Sequence, residues 1–144
     1  MINGLQSALA QDRNSLTHLK HEPDQDEILI LADPAFKNTL HFCDKYKRTL
    51  RALVSENGDI LFVRKIEAVA ETEFKIRAKY LAGNKNLEIQ DPLFIKIYVS
   101  QIVTLIENWL FFSDNISQAM LKKVIGHVQI VSPFEILQIE AKMN

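Results

Sequence analysis

An apolar stretch of the sequence, from Asp91 to Val128, most constrains what this chain can fold into. Its first part has helical spacing, and two sets of large side chains lie next to each other on the helical wheel. One set is Phe94, Tyr98, Ile102, Leu105, Trp109 and Phe112, and the other is Ile95, Val99, Val103, Ile106 and Leu110. Together they cover roughly 180° of the helix, whereas packing against one core needs a stripe of about 100°. We therefore expect this helix to pack against its own domain and also against a second surface.

A second apolar helix follows directly and has Ser117 at its expected N-cap position. We expect the two helices to form an association surface, and a second copy of the same chain is the expected partner. Gly126 would allow a close approach between helices. The interface candidates are Val99, Val103, Ile106, Leu110, Leu121, Val124, Ile125 and Val128.

Composition narrows the class of protein. The chain has 144 residues, 47% of them hydrophobic and 24% charged, which is typical of one globular domain. A net charge of −1 argues against this chain being the part that grips nucleic acid. Polar residues interrupt the first twenty positions and the apolar helix, so we expect no secretory signal and no membrane span. The single cysteine, Cys43, fits a reducing cytoplasm and lies on an apolar helical stripe as a core residue.

Capping signals divide the chain into helices, and we predict an all-α fold with a single domain over residues 1–144. Asp33-Pro34 and Asp91-Pro92 each place an acid before a proline at the first helical position. The segment Asp24–Leu31 fits either a short strand or a helical turn. The predicted helices are Ile2–Leu19, Pro34–Val54, Ile60–Ala82, Pro92–Phe112, Gln118–Gln129 and Pro133–Met143.

Catalytic and metal-binding patterns are weak, and we predict neither an enzyme nor a cofactor. The glycines are isolated, so there is no phosphate-binding loop. His18 and His21 have a spacing that could place two imidazoles on one helical face, but Pro23 follows and more ligands would be needed. Glu67 and Glu71 are four residues apart on one helix, and without a histidine partner a solvated acidic face is the simpler interpretation.

Three segments of the sequence together resemble a known family. They are HFCDKYKRTLRALVSENGDILFVRKIEAVAETEF, Asp91-Pro92 and the aromatic helix that ends in ENWLFF. They are similar to the C-terminal domain of TetR-like transcriptional regulators of the type common in Firmicutes, over roughly Leu5 to Val128. In that family a helix ends in an asparagine-glycine-aspartate turn, and a long helix and then an apolar helix with a late tryptophan follow. Asn57-Gly58-Asp59 and Trp109 occupy those places.

The resemblance implies a bacterial, cytoplasmic repressor whose regulatory domain binds an effector and forms a homodimer. In that dimer the last two large helices of each subunit would pair into a four-helix bundle. An apolar or mixed effector would lie in a cavity among the earlier helices and shift the population between two orientations of the DNA-binding heads. Aromatic residues at such spacing are most often plain core, and a cavity lining is the other interpretation. The residues proposed for the cavity are Phe42, Tyr46, Phe62, Ile66, Tyr98, Ile102 and Trp109.

The chain also departs from the family pattern. Such regulators begin with a helix-turn-helix domain of about fifty residues, whereas Met1–Lys20 fits the linking helix that follows it, so contact with DNA is expected only through an N-terminal domain not in this sequence. Phe111 to Asn115 replaces the glycine that often follows the tryptophan helix. The alternative is a stand-alone helical protein–protein interaction module without an effector, which would use the same apolar surface on a different partner.

Overall fold

The structure is a computed structural model that describes residues 1–55, 57–81, 92–112 and 115–129. Within these ranges it contains helices and turns and no strand, so the all-α prediction is confirmed. A 3₁₀ turn, Asn14–Leu16, follows the first helix. The helices are α1 (Ile2–Arg13), α2 (Gln25–Lys45), α3 (Lys47–Val54), α4 (Ile60–Leu81), α5 (Pro92–Phe112) and α6 (Gln118–Val128).

Four predicted helix starts agree with the structure, at Ile2, Ile60, Pro92 and Gln118, and a side-chain cap precedes two of them. The Asp59 side chain accepts from the backbone N–H of Leu61 and of Phe62 and so caps α4. Helix α5 begins and ends where the sequence predicts. The Ser117 hydroxyl accepts from the N–H of Met120, at 3.1 Å, and so caps α6.

The start of α2 corrects the prediction around Pro34. The helix begins nine residues earlier, at Gln25, because Asp24 and Glu27 form a capping box in which each side chain accepts from the other's backbone. Pro34 therefore lies inside the helix. A proline there removes a hydrogen bond to the carbonyl of Ile30, and Ile30 is on the solvent side of α2, with 73% of its surface exposed.

Two further helix bounds differ from the prediction. Helix α1 ends at Arg13 and the 3₁₀ turn at Leu16, short of the predicted Leu19. The helix predicted to run unbroken to Val54 is interrupted at Tyr46, which divides α2 from α3. The helix predicted over Pro133–Met143 lies outside the described residues.

The core forms where α2, α4 and α5 meet, and the other helices pack around it. Helices α5 and α6 run antiparallel: Trp109 Nε1–H donates to the carbonyl of Ile116 at one end of the pair, and the Tyr98 hydroxyl bonds Gln129 at the other. Helix α6 also packs on α2. A Cβ on Gly126 would lie 3.1 Å from the Cβ of Ala32, so this glycine brings α6 close to α2 of the same chain.

Candidate functional site: an apolar cavity beside an acidic groove

An apolar cavity of about 70 Å³ lies in the middle of the bundle. Five helices contribute to its wall, which consists almost entirely of hydrocarbon side chains. The lining residues are Leu5, Leu9, Phe36, Thr39, Cys43, Leu50, Val54, Ile66, Ala70, Phe74, Ile102, Val103, Ile106, Glu107 and Leu110. Protein cores are normally close-packed, so an unfilled space of this size inside the bundle is unusual.

Two ionisable side chains border the cavity, and they behave differently. Cys43 is buried, as predicted, and its burial, with a smaller contribution from the charge of Asp44, raises the pKa of the thiol to about 12. It therefore stays protonated at neutral pH and acts as a small apolar residue. Among the described residues Glu107 is the one carboxylate in the cavity wall. Partial burial, and then the negative charge of Glu67, raise the pKa of Glu107.

A groove of about 380 Å³ lies on the other side of Glu107, between α4 and α5. Val103 and Glu107 line both the groove and the cavity, so these two side chains form part of the wall between them. The groove is more polar than the cavity. Its remaining lining residues are Glu67, Glu71, Lys96, Val99, Ser100 and Thr104.

The charges around the groove are only partly balanced. Glu71 forms an ion pair with Lys75, at 3.3 Å, one turn along α4. No hydrogen-bond donor or cation is paired with the Glu107 carboxylate among residues 1–55, 57–81, 92–112 and 115–129. The arrangement therefore combines an apolar interior with one carboxylate that has no fixed partner in the described structure.

A buried network of charges joins α1, α2 and α4 next to the cavity. Arg77, only 2% exposed, donates from Nε to Glu73, from Nη1 to the carbonyl of Ala35 and from Nη2 to the carbonyl of Leu9, at 3.0, 2.8 and 3.0 Å. Arg13 donates to the other oxygen of Glu73 at 3.0 Å. No pattern in the sequence predicted this network.

Asp12 completes the junction between α1 and α2. Its two carboxylate oxygens accept from the backbone N–H groups of Asn38 and Thr39 and from the side chains of the same two residues, at 2.7 to 2.9 Å. Asp12 is 2% exposed. Buried charges are tolerated when they are paired and hydrogen-bonded to this extent, and within the described ranges no buried side-chain nitrogen or oxygen is left without a partner.

Of the seven residues predicted to line a cavity, the structure places only Ile66 and Ile102 in its wall. Trp109 is buried, but it closes the turn between α5 and α6 through its bond to the Ile116 carbonyl. Tyr98 packs edge-on against Phe74, with ring centroids 5.7 Å apart.

The other three predicted lining residues lie elsewhere. Phe42 and Tyr46 pack against each other with tilted rings whose centroids are 4.8 Å apart, and Tyr46 is 36% exposed. Phe62 belongs to the core and does not line the cavity. Most of the predicted aromatic lining is therefore ordinary packing.

The predicted interface residues are also placed differently from the expectation. Four of them are buried within the chain itself and have no surface to offer a second copy: Val99, Leu110, Leu121 and Ile125. Val103 and Ile106, with Leu110, line the cavity. Val124 is exposed and Val128 half-buried. The helical wheel correctly predicts which residues share a side of α5. It does not predict which of those sides faces the interior of the chain.

A different side of α5 and α6 carries exposed apolar side chains. Leu93 and Ile97, one turn apart on α5, are 60% and 49% exposed, and Met120 and Val124, one turn apart on α6, are 51% and 36% exposed. We define these four exposed residues of two neighbouring helices as the outer α5–α6 face. Large exposed apolar side chains are typical of association surfaces when they belong to a continuous patch.

Metal and membrane sites find no support in the described residues. His18 and His21 both lie beyond the end of α1, so they do not share a helical face, and His21 lies 3.8 Å from Glu27. No group of three or more histidine, cysteine or acidic side chains among the described residues could hold a metal ion. None of the described helices is long and apolar enough to cross a membrane.

Comparison with known proteins gives no relative: no protein-family model, no curated protein and no solved structure matches this chain.

Proposed function

We propose that this chain is the regulatory domain of a TetR-like transcriptional repressor, which binds a small effector in the central cavity and forms a homodimer through the outer α5–α6 face. The observation that carries the proposal is the double role of α5. Ile102 and Ile106 on one side wall the cavity, while Leu93 and Ile97 on another side stay exposed. One helix thus contacts both the proposed ligand and the proposed partner.

Helix α1 is placed to sense what occupies the cavity. The side chains of Leu5 and Leu9 form part of its wall, and the Leu9 carbonyl accepts a hydrogen bond from Arg77. In the proposed repressor α1 would be joined to a helix-turn-helix domain, which would supply all contact with DNA. An effector that binds one position of α1 more tightly than another would shift the population of DNA-binding orientations.

The proposed dimer is a two-fold pairing of the outer α5–α6 face with itself. In such an isologous contact the same four residues are used on both chains, so a single added charge is present twice in the interface. A stable interface of standard size buries about 800 Å² on each partner, so the proposed contact would extend beyond these four side chains along both helices.

Sedimentation velocity at micromolar concentration tests the dimer. The unmodified chain should sediment as a dimer, and Ile97→Glu combined with Val124→Glu should convert it to a folded monomer, because four carboxylates would be buried without partners. Leu61→Glu is the matched control: Leu61 is 62% exposed at the start of α4, where a negative charge suits the helix. Arg48→Glu on the exposed side of α3 should likewise leave assembly unchanged.

Two outcomes would contradict the proposal. A chain that sediments as a monomer at micromolar concentration has no such dimer face. A dimer that survives the double substitution uses another surface.

A further inference from the structure

The cavity is small for the sites that bind ring compounds, and its size limits the ligand. An engineered apolar cavity of about 150 Å³ in another protein accepts benzene, whereas this one measures about 70 Å³. A narrow hydrocarbon chain of a few carbons fits that space better than an aromatic ring. The nearly all-carbon wall gives such a chain no hydrogen bonds, so its binding would be driven by removing apolar surface from water.

The charge next to the cavity limits the ligand further. Glu107 borders both the cavity and the groove, so it lies beside the path of a ligand that extends from one into the other. Glu67 is close enough to raise the pKa of Glu107, so two negative charges face the same space. Among the described residues that line the groove only Lys96 is positive, and Lys75 nearby is paired with Glu71.

We propose that the effector is an amphipathic cation: a short hydrocarbon chain in the cavity, attached to a positively charged group that lies in the groove beside Glu107. This inference rests on the proposed function, since it names the ligand class of the same cavity. A positive group would supply the partner that the Glu107 carboxylate lacks among the described residues. A neutral hydroxyl head offers that carboxylate only an uncharged hydrogen bond, which is weaker than one from a cation. An anionic head would add a third negative charge.

A series of probes with one chain and three heads tests the charge. n-Butylammonium, 1-butanol and butanoate are titrated against the full chain, with binding followed by amide chemical shifts. n-Butylammonium should bind in the millimolar range, at least tenfold more tightly than 1-butanol, and butanoate should bind more weakly than 1-butanol. Glu107→Gln should remove the tenfold advantage of n-butylammonium and leave 1-butanol unchanged.

Three controls separate the cavity from general attraction of cations. Glu22→Gln makes the same charge change at an exposed position away from the groove and should keep the tenfold preference. Tetramethylammonium has the charge without the chain and should not compete. Ala70→Leu places extra carbons in the cavity wall and should weaken the binding of n-butylammonium and of 1-butanol by similar factors.

The outcomes distinguish this inference from the function on which it rests. Equal binding of all three butyl probes, sensitive to Ala70→Leu, would overturn the cationic class and leave an apolar effector site in place. No binding of any of the three would overturn the effector site as well. Equal binding of tetramethylammonium and n-butylammonium would also overturn the inference, since the groove alone would then suffice.

Discussion

Two neighbouring regions of the core hold α1 in contrasting ways. In the first, Arg77 and Asp12 are almost completely buried, and hydrogen bonds to α1, α2 and α4 occupy their polar atoms. In the second, hydrocarbon side chains surround a cavity, and the carboxylate at its edge, Glu107, has no partner among the described residues.

The contrast assigns different tasks to the two regions. Buried ion pairs with full hydrogen bonding accept only one geometry, so the junction of Arg77 and Asp12 fixes where α1 meets the bundle. A cavity lined by carbon atoms has no directional bonds and can change volume at lower cost. Leu9 belongs to both regions, since its carbonyl binds Arg77 while its side chain lines the cavity. A change in the volume of the cavity would therefore act on α1 directly beside the fixed junction.

Removing the fixed junction should have the largest effect. Arg77→Met leaves Glu73 with one of its two cationic partners and removes the hydrogen bonds that tie Glu73 to the carbonyls of Leu9 and Ala35 through one guanidinium, and we expect a loss of about 3–5 kcal/mol in the free energy of unfolding. Urea denaturation measures it. Lys75→Met, on the same helix, removes a half-exposed ion pair to Glu71 and should cost no more than about 0.5 kcal/mol. Similar losses for the two variants would mean that the junction is no stronger than a surface pair.

Filling the cavity should have a smaller effect, and a matched pair of substitutions shows where space exists. Ala70→Val adds two methyl groups at the cavity wall, and we expect the free energy of unfolding to change by no more than about 1 kcal/mol. Ala32→Val makes the same change in another helix interior, where Ala32 already lies against Gly126, and should cost about 1–3 kcal/mol. If Ala70→Val were the more costly of the two, the cavity would not be open to a ligand.

Local signals in the sequence predicted the helices well and failed where a tertiary contact decides. Ser117 and Asp59 cap their helices as expected, because a cap depends only on the next three residues. The start of α2 was also readable, since Asp24 and Glu27 have capping-box spacing, but Asp33-Pro34 suggested a later start. The helix continues through Pro34 because its packing on α1 and α6 outweighs one lost hydrogen bond.

The site was less predictable, because it depends on how helices rotate against one another. Periodicity placed Val103, Ile106 and Leu110 together on α5, which is correct, but only packing shows that they face the cavity. The buried network has a weak signal: Glu73 and Arg77 are one turn apart on a helix, which is also the spacing of a solvated pair. Nothing local distinguishes the two cases, since the partners of Asp12 and the other partners of Arg77 lie 26 to 68 residues away.

The smallest expected effect concerns the charge of Glu107. Burial and Glu67 raise its pKa in the folded protein, so holding it ionised costs free energy at neutral pH, and this cost does not exist in the unfolded chain. Glu107→Gln should therefore raise the thermal midpoint at pH 7. The gain should shrink as the pH falls through the raised pKa, and it should vanish below the unfolded value of roughly 4.3.

The surroundings of Glu107 decide how this result is interpreted. The titratable groups that face the groove with it are Glu67, Glu71 and Lys96, and Lys75 pairs with Glu71. Glu67→Gln removes the second cause of the pKa shift and should reproduce a smaller part of the gain with the same pH dependence. A gain from Glu107→Gln that is equal at pH 7 and at pH 4 would come from packing of the amide rather than from charge. The groove would then impose no free-energy cost on the ionised carboxylate relative to water. Glu107 would in that case bind a cation no more tightly than an exposed glutamate does.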